Sequence, residues 1–445
     1  MRSADRPQFG YGLPIYLGLC LILGGASSAG VLANLCLQLG AIGILALLAW
    51  PRSASSAARL PMQERWLWAV VGLAILIPLL QLVPLPPSWW QRLPGRGVVA
   101  LGDRLLGMGD IWRPISSQPS RTLWSWLGLL PPLAALALTL RADDRERRIA
   151  VGVVLLVAVV SSGIGLIQVL QGGDSQAYFY ATTNSNTSVG FFANSNHLAT
   201  LFLIAIAFSA GFPYSPRTHG AAWSAVRAAL LVLFLINLGV NRSLAGYLLA
   251  APVTPFALAR SARGRRWRTR NRWITPAAIM ALIAAVAAAS LWGGDTLRTI
   301  TTNTTDPGRR LVFLHYTWQL IRESFPFGYG LGSFRWSYAG VEDIASVTLV
   351  YVNHAHNDWA ELVSDLGIGA VALLLGFGGW YLARGAALWR TRHDLLGYVP
   401  AAFAALALIA LHSLVDYPAR TAAIAAVAAM CTGMIARPRR ADPND

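Results

Sequence analysis

The stretch YVNHAHNDWAELVSDLGIGAVALLLGFGGW, residues 351–380, changes character halfway along. Its first fifteen residues hold two histidines, two asparagines, two aspartates and a glutamate, and its last fifteen hold no charged residue. Such an apolar run approaches the ~20 residues that cross ~30 Å of hydrocarbon as a helix. Titratable groups at the threshold of lipid are costly, so they imply a water-filled cavity, a partner or a substrate.

The rest of the chain repeats the apolar half. Of 445 residues, 55% are hydrophobic and 13% are charged, about half the ~25% charged fraction of soluble domains. Membrane is therefore the solvent for most of the sequence. Twelve spans are expected, centred near residues 19, 39, 75, 131, 160, 204, 232, 252, 282, 369, 406 and 428. The first run, 11–27, has no small-residue cleavage site followed by a soluble domain, and reads as helix one. Cys20, Cys36 and Cys431 fall inside apolar runs and imply neither a disulfide framework nor a zinc site.

The net charge of +16 comes from arginine alone, since the chain has no lysine. Segments 51–59, 141–148, 260–272, 384–392 and 437–440, with the N-terminal arginines, Arg65, Arg217 and Arg227, gather 24 of the 36 arginines on one side. The positive-inside rule makes that side the cytoplasm, with both termini there. The expected architecture is an all-α integral membrane protein of about twelve transmembrane helices. Residues 1–292 carry helices one to nine, 293–356 a large outer loop with an amphipathic helix, 357–440 helices ten to twelve, and 441–445 a cytoplasmic tail. Segment 84–121, with its prolines and paired tryptophans, is expected to hold a short interfacial helix.

Four polar clusters lie toward the outer ends of these spans. Arg242 occupies a short turn in LGVNRSLAGYLL (238–249), where it either snorkels to headgroups or fixes an anion. Asp306 and Pro307 start a helix whose Leu311, Leu314, Trp318 and Ile321 recur at helical spacing. Arg309 and Arg310 in its first turn oppose the helix dipole unless an anion joins them, which suits a phosphate. His354 and His356 precede the next span; an imidazole of ordinary pKa ~6.5 can take a proton from a sugar hydroxyl. Glu361 and Asp365 share a face behind them and can orient an imidazole. An alternative reading gives His354, His356 and Asp358 to zinc. In ALHSLVDYPAR (410–420), His412 and Asp416 stand one turn apart and can pair with each other, with Arg420 or with a distant arginine.

Taken in order, GFFANSNHLATLF (190–202), NRSLAGY (241–247), GRRLVFLHYTWQLIRESFPFGYGLGSF (308–334), HAHNDWAELVSDLGIGA (354–370) and HSLVDYPAR (412–420) resemble the O-antigen ligase and O-antigen polymerase superfamily of bacterial membrane glycosyltransferases. The resemblance implies a glycan donor linked to undecaprenyl diphosphate, an acceptor that is lipid A core or a growing glycan, and an outer site in the bacterial inner membrane, facing the periplasm. It implies no cofactor, no metal and no nucleic-acid partner. Arg242 and either Arg309 or Arg310 would hold the diphosphate, and His356, directly before Asn357, would be the base. His354, Asn357, Asn194, Asn196, Tyr247 and Asp416 would line the glycan or acceptor cavity. Many relatives carry serine then arginine where this chain has Arg242 then Ser243. A transporter and a non-catalytic assembly protein are the competing classes. Against transport, the connection between spans six and seven is short and no two-fold recurrence is visible.

Overall fold

A computed structural model describes residues 10–27, 30–50, 62–214, 221–261, 307–347, 351–391 and 397–437. Among the described residues the chain folds as helices, with one ribbon of two short strands. In chain order the helices are α1 (Gly12–Leu23), α2 (Val31–Ala49), α3 (Met62–Leu80), α4 (Pro87–Trp90), α5 (Gly97–Leu105), α6 (Pro119–Leu127), α7 (Leu130–Arg141), α8 (Asp144–Gln171), α9 (Ser195–Ser209), α10 (Ala221–Asn241) and α11 (Leu244–Ser261). They continue as α12 (Pro307–Ser324), α13 (Phe334–Ala339), α14 (Asp358–Leu366), α15 (Ile368–Thr391), α16 (Val399–His412) and α17 (Ala422–Ala436).

Among the described residues, five stretches are long and apolar enough to cross a membrane: Val31–Ala49, Pro119–Arg141, Asp144–Gln171, Ala222–Asn241 and Ile368–Arg390. Four more helices, α1, α9, α16 and α17, are apolar but shorter. Among the described residues this is fewer than the twelve expected spans, because several apolar runs are broken by turns or close early. Helices α3 and α11 cover the centres near 75 and 252 but fall outside both groups. The run near 282 lies outside the described residues.

Helix α9 is apolar all round from Leu201 to Phe208 and every residue from Ser195 to Ser209 is buried, which makes it the axis of the bundle. Helices α10, α11 and α16 pack around it, and α17 lies against α7 and α1. Small residues permit this closeness: a Cβ on Gly433 of α17 would stand 2.8 Å from the Thr139 side chain of α7.

The two ends of α17 carry different chemistry. At its C-terminus, Arg437 pairs with Glu64 (2.7 Å) and donates to Leu140 O (3.1 Å), while nearby Tyr398 donates to Asp144 (2.7 Å). At its N-terminus, Thr421 caps the helix directly after Arg420. Fifteen helical residues separate the two ends, roughly 22 Å at 1.5 Å per residue.

Segment 84–121 is more elaborate than one interfacial helix. Pro84–Leu85 pairs antiparallel with Arg113–Pro114, α4 and α5 lie between them, and Arg113 clasps Asp103 with two bonds of 2.6 Å. Helix α12 buries Phe313, Thr317, Leu320 and Ile321 against the protein and exposes Leu311, Leu314 and Trp318. Three of the four stripe residues therefore face away from the protein; only Ile321 turns inward.

Candidate active site

The HAHN segment is held by its own sequence. Asn357 caps α14, its Oδ1 accepting from Trp359 N (3.1 Å) and Ala360 N (3.0 Å). Its side-chain oxygen thus serves the helix terminus. Beyond α14 the chain turns at Gly367, and FPFGYGLG (325–332) wraps that turn: Tyr329 N donates to Ser364 O (3.0 Å) and Ile368 N to Pro326 O (2.8 Å). The interlock leaves no room for side chains. A Cβ on Gly328 (φ +74°) would lie 2.3 Å from Asp365 O, and one on Gly367 (φ +57°) 2.0 Å from Pro326 O.

Asp416, fully buried, is the hub of one cluster. Its Oδ1 accepts from Tyr417 N (2.8 Å), and its Oδ2 accepts from Asn196 Nδ2 and faces Arg310 Nη2 at 3.5 Å. His197 Nε2 and His356 Nδ1 stand 3.7 and 3.8 Å from Oδ1. Burial alone would raise the Asp416 carboxyl, but the donors facing it, His197 and His356 foremost, hold it well below the usual carboxylate range. The carboxylate is thereby kept charged beside the imidazoles. His356 Nδ1 is buried on this side, while the ring retains 19% exposure and stacks on Phe313 with centroids 5.6 Å apart. Its backbone is left-handed, φ +52°, as is that of Arg242, φ +62°. Both costs are met where surrounding contacts over-determine the backbone, a pattern that concentrates at functional sites.

Arg242 is exposed, and its chain neighbour Ser243 reaches the hub through Asn196. Ser243 Oγ donates to Asn196 Oδ1 (2.6 Å), and the same amide donates to Asp416. Asn241 fixes the turn by donating to Ser188 O (2.7 Å) and Ser195 O (2.8 Å). Arg309 lies over the Phe313 ring (5.9 Å), so its guanidinium borders the ring that stacks on His356. Asn194 caps α9, accepting from Asn196 N (2.8 Å), and its amide lies 3.5 Å from Tyr417 OH. Tyr247 turns away, donating to Gly239 O (2.9 Å).

A second cluster adjoins the first across Tyr417, whose ring packs on His354 (4.3 Å), His197 (4.9 Å) and His356 (5.0 Å). Here Arg420 meets three buried acids: Asp358 (3.3 Å), Glu361 (3.4 Å) and Asp365 (3.5 Å). His354 Nδ1 donates to Glu361 Oε1 (2.8 Å), and its Nε2 lies 3.1 Å from Ser27 Oγ. Burial raises all three carboxyls. At Glu361, Arg420 and His354 overcome it and hold the group at about 2; at Asp365 burial prevails and pushes it up to about 7. His354 also borders a cavity of about 730 Å³ lined by the turn after α1 and by residues of α2, α6 and α13.

Of the partners expected for Asp416, the distant arginine is the one present, Arg310; Arg420 serves the acids of α14 instead, and His412 lies 2.8 Å from Thr200 Oγ1. The zinc set is dispersed: His354 goes to Glu361, His356 to Asp416, and Asp358 to Arg420 and Ser413. Among the described residues no group of three or more His, Cys, Asp or Glu is placed to hold a metal. Sequence reasoning assigned no role to His197, Tyr417 or Ser27. Only His197 carried a signal, as a histidine beside two asparagines ahead of an apolar helix.

These observations define a polytopic helical protein with a charged, partly buried site at one end of its bundle. Residues 229–375 match the model of a family described as O-antigen ligase. That segment is similar to the O-antigen ligase family. No curated protein matches the chain. The matched segment contains Arg242, Arg309, Arg310, His354 and His356, whereas Asn196, His197, Asp416 and Arg420 join the site from outside it.

Proposed function

We propose that the protein transfers a glycan from undecaprenyl diphosphate to an acceptor sugar hydroxyl at the periplasmic face of the inner membrane. The observation that carries this reading is the meeting of Arg310 and His356 on one buried carboxylate, Asp416 (3.5 and 3.8 Å). An imidazole backed by a carboxylate on Nδ1 presents Nε2 to an incoming hydroxyl, and guanidiniums beside it suit a departing diphosphate.

In the proposed step the acceptor oxygen attacks the anomeric carbon and its proton passes to His356 Nε2. The anomeric C–O bond breaks, and the electron pair leaves with the lipid diphosphate. Arg242, Arg309 and Arg310 face the charge that gathers there. Direct displacement inverts the anomeric centre. Asp416 holds the imidazole and stabilises its protonated form; Asn196 and Tyr417 hold Asp416 in turn.

His356→Ala is expected to abolish transfer of lipid-linked glycan to acceptor while thermal stability stays close to wild type. Unchanged transfer would remove the base assignment. Deleting the gene and resolving surface polysaccharide by electrophoresis separates the two family activities: unmodified acceptor core alone means ligase loss, and single-repeat bands mean polymerase loss.

A further inference from the structure

The cavity that ends at His354 has a wall the transfer step does not use. Arg121 from α6 stands over the Trp336 ring (4.4 Å), and Arg335 lies 5.4 Å from the same ring and 3.5 Å from that of Tyr351. All four side chains line the cavity. Cations and aromatic faces thus alternate, Arg121, Trp336, Arg335, Tyr351, along one side. Among the described residues neither arginine has an acid within ion-pair distance, whereas Arg420, which also lines the cavity, meets three. Two like charges held on one indole repel each other, and a stacked guanidinium keeps its in-plane N–H groups free for an oxyanion.

A small neutral sugar needs no cations, and an isolated phosphate needs no aromatic wall. A ligand with both an anion and a ring carrying apolar C–H faces matches the alternation. The volume, about 730 Å³, lies within the ~300–1,000 Å³ of sites that enclose a small molecule. Resting on the glycosyl-transfer reading, we propose that this cavity is a subsite for an anionic saccharide, bound through its carboxylate or phosphate by Arg121 and Arg335 and stacked on Trp336 and Tyr351. His354 in its lining lies across Tyr417 from His356, so a saccharide filling it stands one aromatic ring from the reacting groups.

The test uses the full chain in phosphatidylcholine nanodiscs and two probe pairs followed by calorimetry: tetragalacturonate against its methyl ester, and phosphorylated maltotetraose against maltotetraose. At least one anionic member is expected to bind tenfold or more tighter than its neutral partner, with the advantage shrinking as salt rises. The double variant Arg121→Gln/Arg335→Gln is expected to lose that advantage and keep the neutral affinity, which also shows that it is folded; Arg335→Lys restores part of it. Which pair responds identifies the anion. The proposal is overturned if neither pair discriminates, if the double variant binds as wild type, or if phosphatidylglycerol in the nanodisc displaces the probes, which would make the site a lipid headgroup site. His356→Ala keeps probe selectivity, so loss of selectivity and loss of transfer report separately on the subsite and on the transfer reading.

Discussion

Replacing Arg420 by leucine tests the charge balance behind His354. The guanidinium sits 3.3 to 3.5 Å from three buried carboxylates, of which Glu361 is held at about 2. Its removal leaves three buried acids without their counter-ion, and breaking a buried pair from one side costs about 3–5 kcal/mol. The cost depends on pH with a defined sign. Glu361 is depressed in the wild type, so its stabilisation is present above its ordinary pKa and lost as pH falls toward about 2. In the variant the same carboxyl takes up a proton instead, so over the interval between, the two proteins differ by about one proton, or ~1.4 kcal/mol per pH unit. A loss of about 4 kcal/mol at pH 7.5 therefore shrinks by up to ~3.5 kcal/mol on going to pH 5. Unfolding of the nanodisc-embedded protein at both pH values measures it, with Arg420→Lys keeping part of the stability. Equal losses at pH 5 and 7.5 would refute the argument and make Arg420 a packing residue.

Asp416→Asn removes the charge behind His356 and is expected to lower transfer by about a hundredfold or more while the acceptor KM changes little; full activity would deny the carboxylate an orienting role. Asp365, pushed up to about 7, keeps in the folded state a proton that the unfolded chain sheds near pH 4, so stability falls as pH rises toward 7. Asp365→Asn should flatten that slope by up to ~1.4 kcal/mol per pH unit, and an unchanged slope would contradict the burial argument. Gly328→Ala places a methyl 2.3 Å from Asp365 O at φ +74° and should cost about 2–4 kcal/mol, read as a lower melting temperature.

Long apolar runs placed most helices, because eleven of the twelve expected centres lie in described helices and the twelfth lies outside the described residues. Lengths were less legible. A hydropathy window does not feel the backbone turn at Gly128, or the break at Gly367 that separates α14 from α15. Asp416 and His356 stand 60 residues apart and meet only because α14 and the turn after α16 close on each other; Asp358 N donates to Ser413 O (2.9 Å) there.

The sequence by itself determined that this chain lives in a membrane, and which polar residues could not be left facing lipid. Those conclusions are sums over residues, since desolvation cost attaches to each side chain wherever it sits. Tertiary structure alone decided the pairings: Arg420 with the α14 acids, Arg310 with Asp416, His197 drawn in beside His356, and Asn357 spent on a helix cap. Coulomb attraction and hydrogen bonding act over a few ångströms, and only the packing of α9, α14 and α17 determines which groups come within that range.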